Sequence, residues 1–136
     1  MNSKRPLYVV AALIEVEGKV FVAKRSYGAY EGKWEFPGGK IEKGETPGMA
    51  LRREIYEELD TEIEVKELFT RVDYDYPEFF LHMYVFFASV KNGRLLTKLG
   101  IHSEEAFLSI EELRNYDFCP ADKVVVERYL KAKNRK

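Results

Sequence analysis

The stretch GGKIEKGETPGMALRREIYEEL, Gly38–Leu59, decides the reading of this chain. Its end crowds Glu54, Glu57 and Glu58 into little more than one helical turn. Carboxylates at i,i+3 and i,i+4 repel, costing an isolated helix roughly 0.2–0.5 kcal/mol per pair. A helix is nevertheless well specified here. Thr46 offers a hydroxyl cap and Pro47 suits the first helical position. Leu51, Ile55 and Leu59 then recur at i, i+4 and i+8 as a core-facing stripe. At roughly 100° per residue, the three glutamates fall in one sector beside that stripe. They form either a solvated face, with Arg53 and Glu57 as an i,i+4 ion pair, or the oxygen ligands of a hard divalent cation. Such a cation takes one or two carboxylates together with waters and substrate phosphates. Its charge turns mutual repulsion into shared attraction.

The residues upstream favour the cation. Gly38 and Gly39 let backbone approach an ion or a phosphate where a side chain would block it. The spacing is more specific than the glycines. Five residues separate Gly39 from Glu45, and seven more separate Glu45 from Arg53-Glu54-Ile55-Tyr56-Glu57-Glu58. This resembles the Nudix box: glycine, five residues, glutamate, seven residues, then Arg-Glu-aliphatic-any-Glu-Glu. KWEFPGGKIEKGETP is similar to the MutT branch of that family. RVDYDYPEFFLHMYVFF resembles its aromatic strand pair, and DFCPADKVVVERYL its closing turn and helix.

Composition sets the frame around the motif. The chain has 136 residues, 46% of them apolar, enough for one compact domain over 1–136. Its 22 basic and 23 acidic residues nearly cancel. No global field therefore draws it to nucleic acid or an anionic membrane, and any grip on an anion is local. One cysteine, Cys119, excludes an internal disulfide and suits a reducing compartment, so a cytoplasmic protein is expected. The early apolar run LYVVAALIEV is cut by Glu15 and lacks a small-residue cleavage site; it reads as a buried strand, not a signal peptide.

From that strand, EGK turns the chain into VFVAKR as a hairpin partner, and SYGAYEGK is a loop. TEIEVKELFTRVDYDY and FFLHMYVFFASV read as two further strands. Asn92-Gly93 predicts a hairpin turn into LLTKL. Ser109 caps a short helix in IEELRNY. Val124, Val125, Arg128 and Leu130 space an amphipathic helix through ADKVVVERYLKAK. Strands without regular βαβ alternation indicate an α+β fold with a mixed sheet. The resemblance narrows this to an α/β/α sandwich carrying the box as loop–helix–loop.

The resemblance also implies roles. Glu57 and Glu58 would ligate Mg²⁺, or Mn²⁺ in its place, with the Gly38 carbonyl. Glu54 would be a further ligand or the base for the attacking water. Arg53 would orient a glutamate, and Glu45 would support the loop. Lys40 and Arg25 match basic positions near the substrate phosphates. The implied reaction is attack of water on the β-phosphorus of a nucleoside triphosphate, giving the monophosphate and pyrophosphate, with 8-oxo-dGTP in nucleotide-pool sanitation as one substrate. CTP or a modified pyrimidine nucleotide is an alternative, and a non-hydrolysing nucleotide sensor is another. No membrane or nucleic-acid partner is expected, and a monomer or a homodimer is.

Two departures stand out. Asp60 and Thr61 replace the glycine and aliphatic residue that normally end the box; Asp tolerates the left-handed conformation required there. Gly100 and Ile101 stand where related enzymes carry a loop glutamate, leaving Glu104, Glu105 or His102 as substitutes, with Glu104 named as the candidate base. Asp122, in the Cys-Pro-Ala-Asp turn, would either read the nucleobase edge as an acceptor or serve as a helix N-terminal acid. Tyr76, Phe79 and Phe80 would stack a base or pack the core, and Trp34 is read as structural.

Overall fold

The computed structural model describes residues 4–26, 28–95 and 102–134. The elements run β1 (Arg5–Val16), β2 (Lys19–Arg25), β3 (Trp34–Glu35), β4 (Gly38–Lys40), α1 (Pro47–Leu59), β5 (Glu62–Asp75), β6 (Phe79–Asn92), β7 (His102–Leu108), α2 (Ile110–Leu113) and α3 (Pro120–Asn134). The sheet is mixed, ordered β3-β2-β1-β6-β5, with β4 also pairing β1 and β7 pairing β2. β1 runs parallel to β6 from Arg5↔Phe79 to Ile14↔Ala88, and antiparallel to β4 and β2. The architecture is α+β, as the uneven mixture of strand and helix patterns predicts.

The period-two alternation of β1 assigns its two faces. Val10, Ala12 and Ile14 pack with Phe21, Ala50, Leu51, Ile55 and Leu59, so α1 covers that side. Ala11 and Leu13 pack with Val22, Val85, Val125, Tyr129 and Leu130, so α3 covers the other. Strands buried on both faces read as continuous apolar runs, which is how VVAALI reads.

α1 begins as its sequence specifies. The Thr46 hydroxyl accepts from the Met49 N–H at 3.2 Å, and Pro47 opens the helix. It ends at Asp60, whose φ of 52° and ψ of 42° are left-handed, with its N–H on the Tyr56 carbonyl. Thr61 is fully buried: its hydroxyl donates to the Leu59 carbonyl and accepts from the Leu95 N–H, each at 2.9 Å. An aliphatic residue could not make this bond, so the hydroxyl ties the end of the box to the chain beyond β6.

Three details differ from expectation. The Ser109-capped helix stops at Leu113, one turn long, although both bonds of its capping box form. The buried face of α3 is Ala121, Asp122, Val125, Val126, Tyr129 and Leu130. Arg128 lies on the rim, donating to Thr70 Oγ1 and the Arg71 carbonyl at 2.8 Å. After Asn92-Gly93, Leu95 is buried but not in a strand; the rest of the expected LLTKL strand, and Gly100 and Ile101, lie outside the described residues. Among the described residues, no helix is long and apolar enough to cross a membrane.

Candidate active site

Arg53 organises the acidic face of α1. Its Nε and Nη2 donate to the two Glu45 oxygens at 2.7 and 3.0 Å. Nη1 donates to Glu54 at 3.0 Å and to Glu57 at 3.2 Å, and Nη2 also reaches the Lys40 carbonyl at 3.0 Å. A planar guanidinium has five donors in a fixed fork, so it can hold several acceptors at once. The Arg53 bonds, together with the Glu42 N–H, hold the Glu45 carboxyl down at about 2. Glu45 thereby links the loop to the helix.

The other half of the cluster is crowded by carboxylates. Burial first, then the charge of Glu54, a hydrogen bond with Glu54, and the charges of Glu35 and Glu57 push Glu58 up to about 9. Glu57 leans outward on Arg53, with its side chain 58% exposed. Backbone makes room for the cluster. A Cβ on Gly39 would lie 2.4 Å from the Glu54 carboxylate, and one on Gly38 would lie 1.9 Å from the Val10 carbonyl oxygen. Glycine at Gly39 is a condition for Glu54 to sit where it does, and glycine at Gly38 a condition for β4 to pair with β1. An all-oxygen donor set whose members repel one another, pressed against bare backbone, fits a hard divalent cation.

Gly38, Gly39 and Glu58 open onto a cavity of about 550 Å³ that Ala121 and Asp122 of α3 also line. Its wall includes Tyr30, Phe79, Met83 and Tyr76, with Arg25, Glu35, Glu78, His102, Cys119 and Asp122 among the polar groups. Tyr76 is buried, and its hydroxyl accepts from the Ala121 N–H at 3.1 Å, so it forms wall and brace together. Arg25 donates to Glu35 at 3.0 Å and to the Ala29 carbonyl at 3.1 Å. Lys40 is exposed at the end of β4 and is not part of the wall.

Asp122 is buried, and Oδ1 accepts from the Phe36 N–H at 2.9 Å. Burial, and then the charge of Glu35, push it up to about 8. An ionised Asp122, expected from the sequence, would only accept; a largely protonated one also donates. Glu104 stands apart. It lies on β7 opposite Lys24, its carboxylate 3.5 Å from that ammonium and 60% exposed, and it does not line the cavity. The β7 residue that does is His102, whose Nε2 is 3.0 Å from Glu35.

Glu35 was not evident from the sequence as a site residue. Its signal was parity: a lone carboxylate alternates with Trp34 and Phe36, both buried. Cys119 and His102 enter the wall only through tertiary pairing, Cys119 N–H to the Trp34 carbonyl at 2.9 Å and His102 opposite Arg25.

Comparison with known proteins identifies the family. The NUDIX domain model matches residues 4–129. The chain is similar to the 8-oxo-dGTP diphosphatase of Escherichia coli K12, 31% identical over 126 residues, covering 91% of this chain and 96% of that one. It is equally similar to the CTP pyrophosphohydrolase of the same organism, 33% identical over 123 residues and 90% of each chain. The solution structure of the E. coli ORF135 protein superposes with a TM-score of 0.83 at 30% identity, covering 98% of this chain and 94% of that one. The chain belongs to the Nudix family, whose hydrolases generally use a divalent metal.

Proposed function

We propose that this protein is a magnesium-dependent nucleoside triphosphate diphosphohydrolase of the MutT type, acting on the cytoplasmic nucleotide pool with 8-oxo-dGTP as leading substrate. The observation that carries the reading is the single Arg53 guanidinium holding Glu45, Glu54 and Glu57 at 2.7, 3.0 and 3.2 Å, with Glu58 beside Glu54 at the cavity mouth. The similarity to an 8-oxo-dGTP diphosphatase supports it.

In this reading Glu57, Glu58 and the Gly38 carbonyl would hold Mg²⁺, or Mn²⁺ in its place, and Glu54 is kept as the base. When bound, the ion neutralises the substrate's diphosphate and lowers the pKa of water. Arg53 positions the carboxylates and touches no substrate. Glu54, gripped by Arg53 and facing Glu58, takes the proton of the attacking water. Attack on the β-phosphorus breaks its bond to the bridging oxygen, which leaves with the nucleoside monophosphate. Lys40, exposed beside the box, meets the outer phosphates. Arg25, committed to Glu35, braces the far wall in place of binding phosphate.

The nucleobase sits between the aromatic wall and the Asp122–Glu35 pair. The protonated Asp122 donates and Glu35 accepts, which matches O6 and N1–H of guanine. The same pair matches N3 and the amino group of cytosine. That favours CTP or a modified pyrimidine triphosphate as a second reading, supported by the similarity to CTP pyrophosphohydrolase.

The test is a panel of 8-oxo-dGTP, dGTP, CTP, 5-methyl-dCTP and ADP-ribose with magnesium, read by product analysis. Monophosphate and pyrophosphate from a triphosphate are expected. Tight binding of one compound with turnover of none would establish a sensor instead.

A further inference from the structure

Outside the box, one group of side chains among the described residues has metal-ligating chemistry of a different kind. Glu35 on β3, Cys119 just before α3 and Asp122 in its first turn each offer a ligand atom, and these atoms lie within 4.8 Å of one another. All three line the cavity, and Cys119 and Asp122 are only 5% and 7% exposed. Glu35 is held from behind, one oxygen accepting from Arg25 and the other facing His102 Nε2, each at 3.0 Å. His102 adds an independent observation. Its side chain is 2% exposed, it lines the same cavity, and its Nδ1 is buried without a hydrogen-bond partner. Buried nitrogens are normally satisfied, and one that is not marks a wall of this cavity that an ion, a water or a ligand completes; Nε2, and not Nδ1, is the nitrogen that faces Glu35.

Thiolate, carboxylate and imidazole together suit a borderline-soft ion, unlike the all-oxygen box. We propose that Cys119 Sγ, one Glu35 oxygen and one Asp122 oxygen form a Zn²⁺ site with an open position toward the cavity. His102 and Arg25 orient the Glu35 carboxylate, the role that hydrogen-bonded partners of metal ligands play elsewhere. On ligation the Cys119 proton and the Asp122 proton both pass to solvent and no oxidation state changes. The Arg25 guanidinium opposes a cation, which makes this site weaker than a structural one with four protein ligands.

The ion would lie where the nucleobase is proposed to sit, so ion and nucleotide exclude each other; this consequence rests on the function proposed above. Zinc then acts as an inhibitor competitive with nucleotide.

The test uses the full chain, Co²⁺ as the probe, a non-thiol reductant and no magnesium. A sulfur-to-cobalt charge-transfer band that saturates with added Co²⁺ is expected. Cys119→Ser abolishes it, Glu35→Gln weakens cobalt binding about 10–100-fold, and Glu57→Gln leaves the band unchanged. Absence of a band, or a band indifferent to Glu35→Gln, overturns the site even if nucleotides are hydrolysed. A nucleoside triphosphate that displaces cobalt supports the placement. Cobalt and nucleotide bound together would leave the metal site standing and overturn the nucleobase seat.

Discussion

Arg53 grips Glu45 with two parallel hydrogen bonds, Nε to Oε2 at 2.7 Å and Nη2 to Oε1 at 3.0 Å. The same guanidinium carries Glu54 and Glu57, so its geometry and not only its charge sets the carboxylates. A lysine is a point charge without the fork. Arg53→Lys should lower kcat about 10²-fold, the scale of a 1 Å misplacement, with a smaller change in KM. A kcat within twofold of wild type would remove Arg53 from the positioning role.

The two box glycines should fail differently. In Gly39→Ala the new methyl would lie 2.4 Å from the Glu54 carboxylate, a movable side chain. Metal affinity is expected to fall about 10–100-fold while the fold survives, read by metal titration beside a thermal melt. In Gly38→Ala the methyl meets the Val10 carbonyl at 1.9 Å, which is backbone. That variant should lose about 3 kcal/mol of stability, the upper end for overpacking, measured by denaturant unfolding.

Glu58 should cost stability without metal and supply it with metal. Buried among Glu54, Glu35 and Glu57, it is pushed up to about 9. Its folded pKa is raised above the ordinary 4.5, so in metal-free protein its contribution falls as pH rises from 4.5 toward 9. Glu58→Gln should therefore melt higher than wild type in chelator at pH 8. With magnesium at 100 times its Kd, wild type should gain about 2.7 kcal/mol and the variant distinctly less. Melts at pH 8, with and without magnesium, check both halves.

Asp122 should make base recognition pH-dependent. Pushed up to about 8, it keeps its proton at pH 7 and loses it above pH 8. Below that value it would donate to the base in the proposed seat; above it the donor is gone. KM should rise between pH 7 and pH 9 with kcat little affected by this group, and Asp122→Asn, a permanent donor, should flatten the KM profile. Parallel profiles in both proteins would count against contact with the base.

The parts of the fold that were readable in advance are those with local causes. Thr46, Pro47 and the Leu51/Ile55/Leu59 stripe specify α1 within one short segment, and the β1–β2 hairpin closes through Glu17-Gly18. The sheet order has no local cause, since β1 pairs in parallel with β6 across Leu7↔Leu81. The box followed the same rule: its spacing lies on one loop and one helix. The cavity wall did not, because Glu35, His102 and Cys119 come from β3, β7 and the α3 entry. On β7 the choice between His102 and Glu104 depends on strand register against β2, with Arg25 opposite one and Lys24 opposite the other. No sequence pattern in SEEAF announces that pairing.

The most direct measurement is the products formed from 8-oxo-dGTP and from CTP by the full chain, with magnesium and then with excess chelator. The monophosphate and pyrophosphate in equal amounts from at least one of them, abolished by chelator and by Glu57→Gln, is the predicted result. Release of orthophosphate, or turnover that survives both chelator and Glu57→Gln, would contradict it.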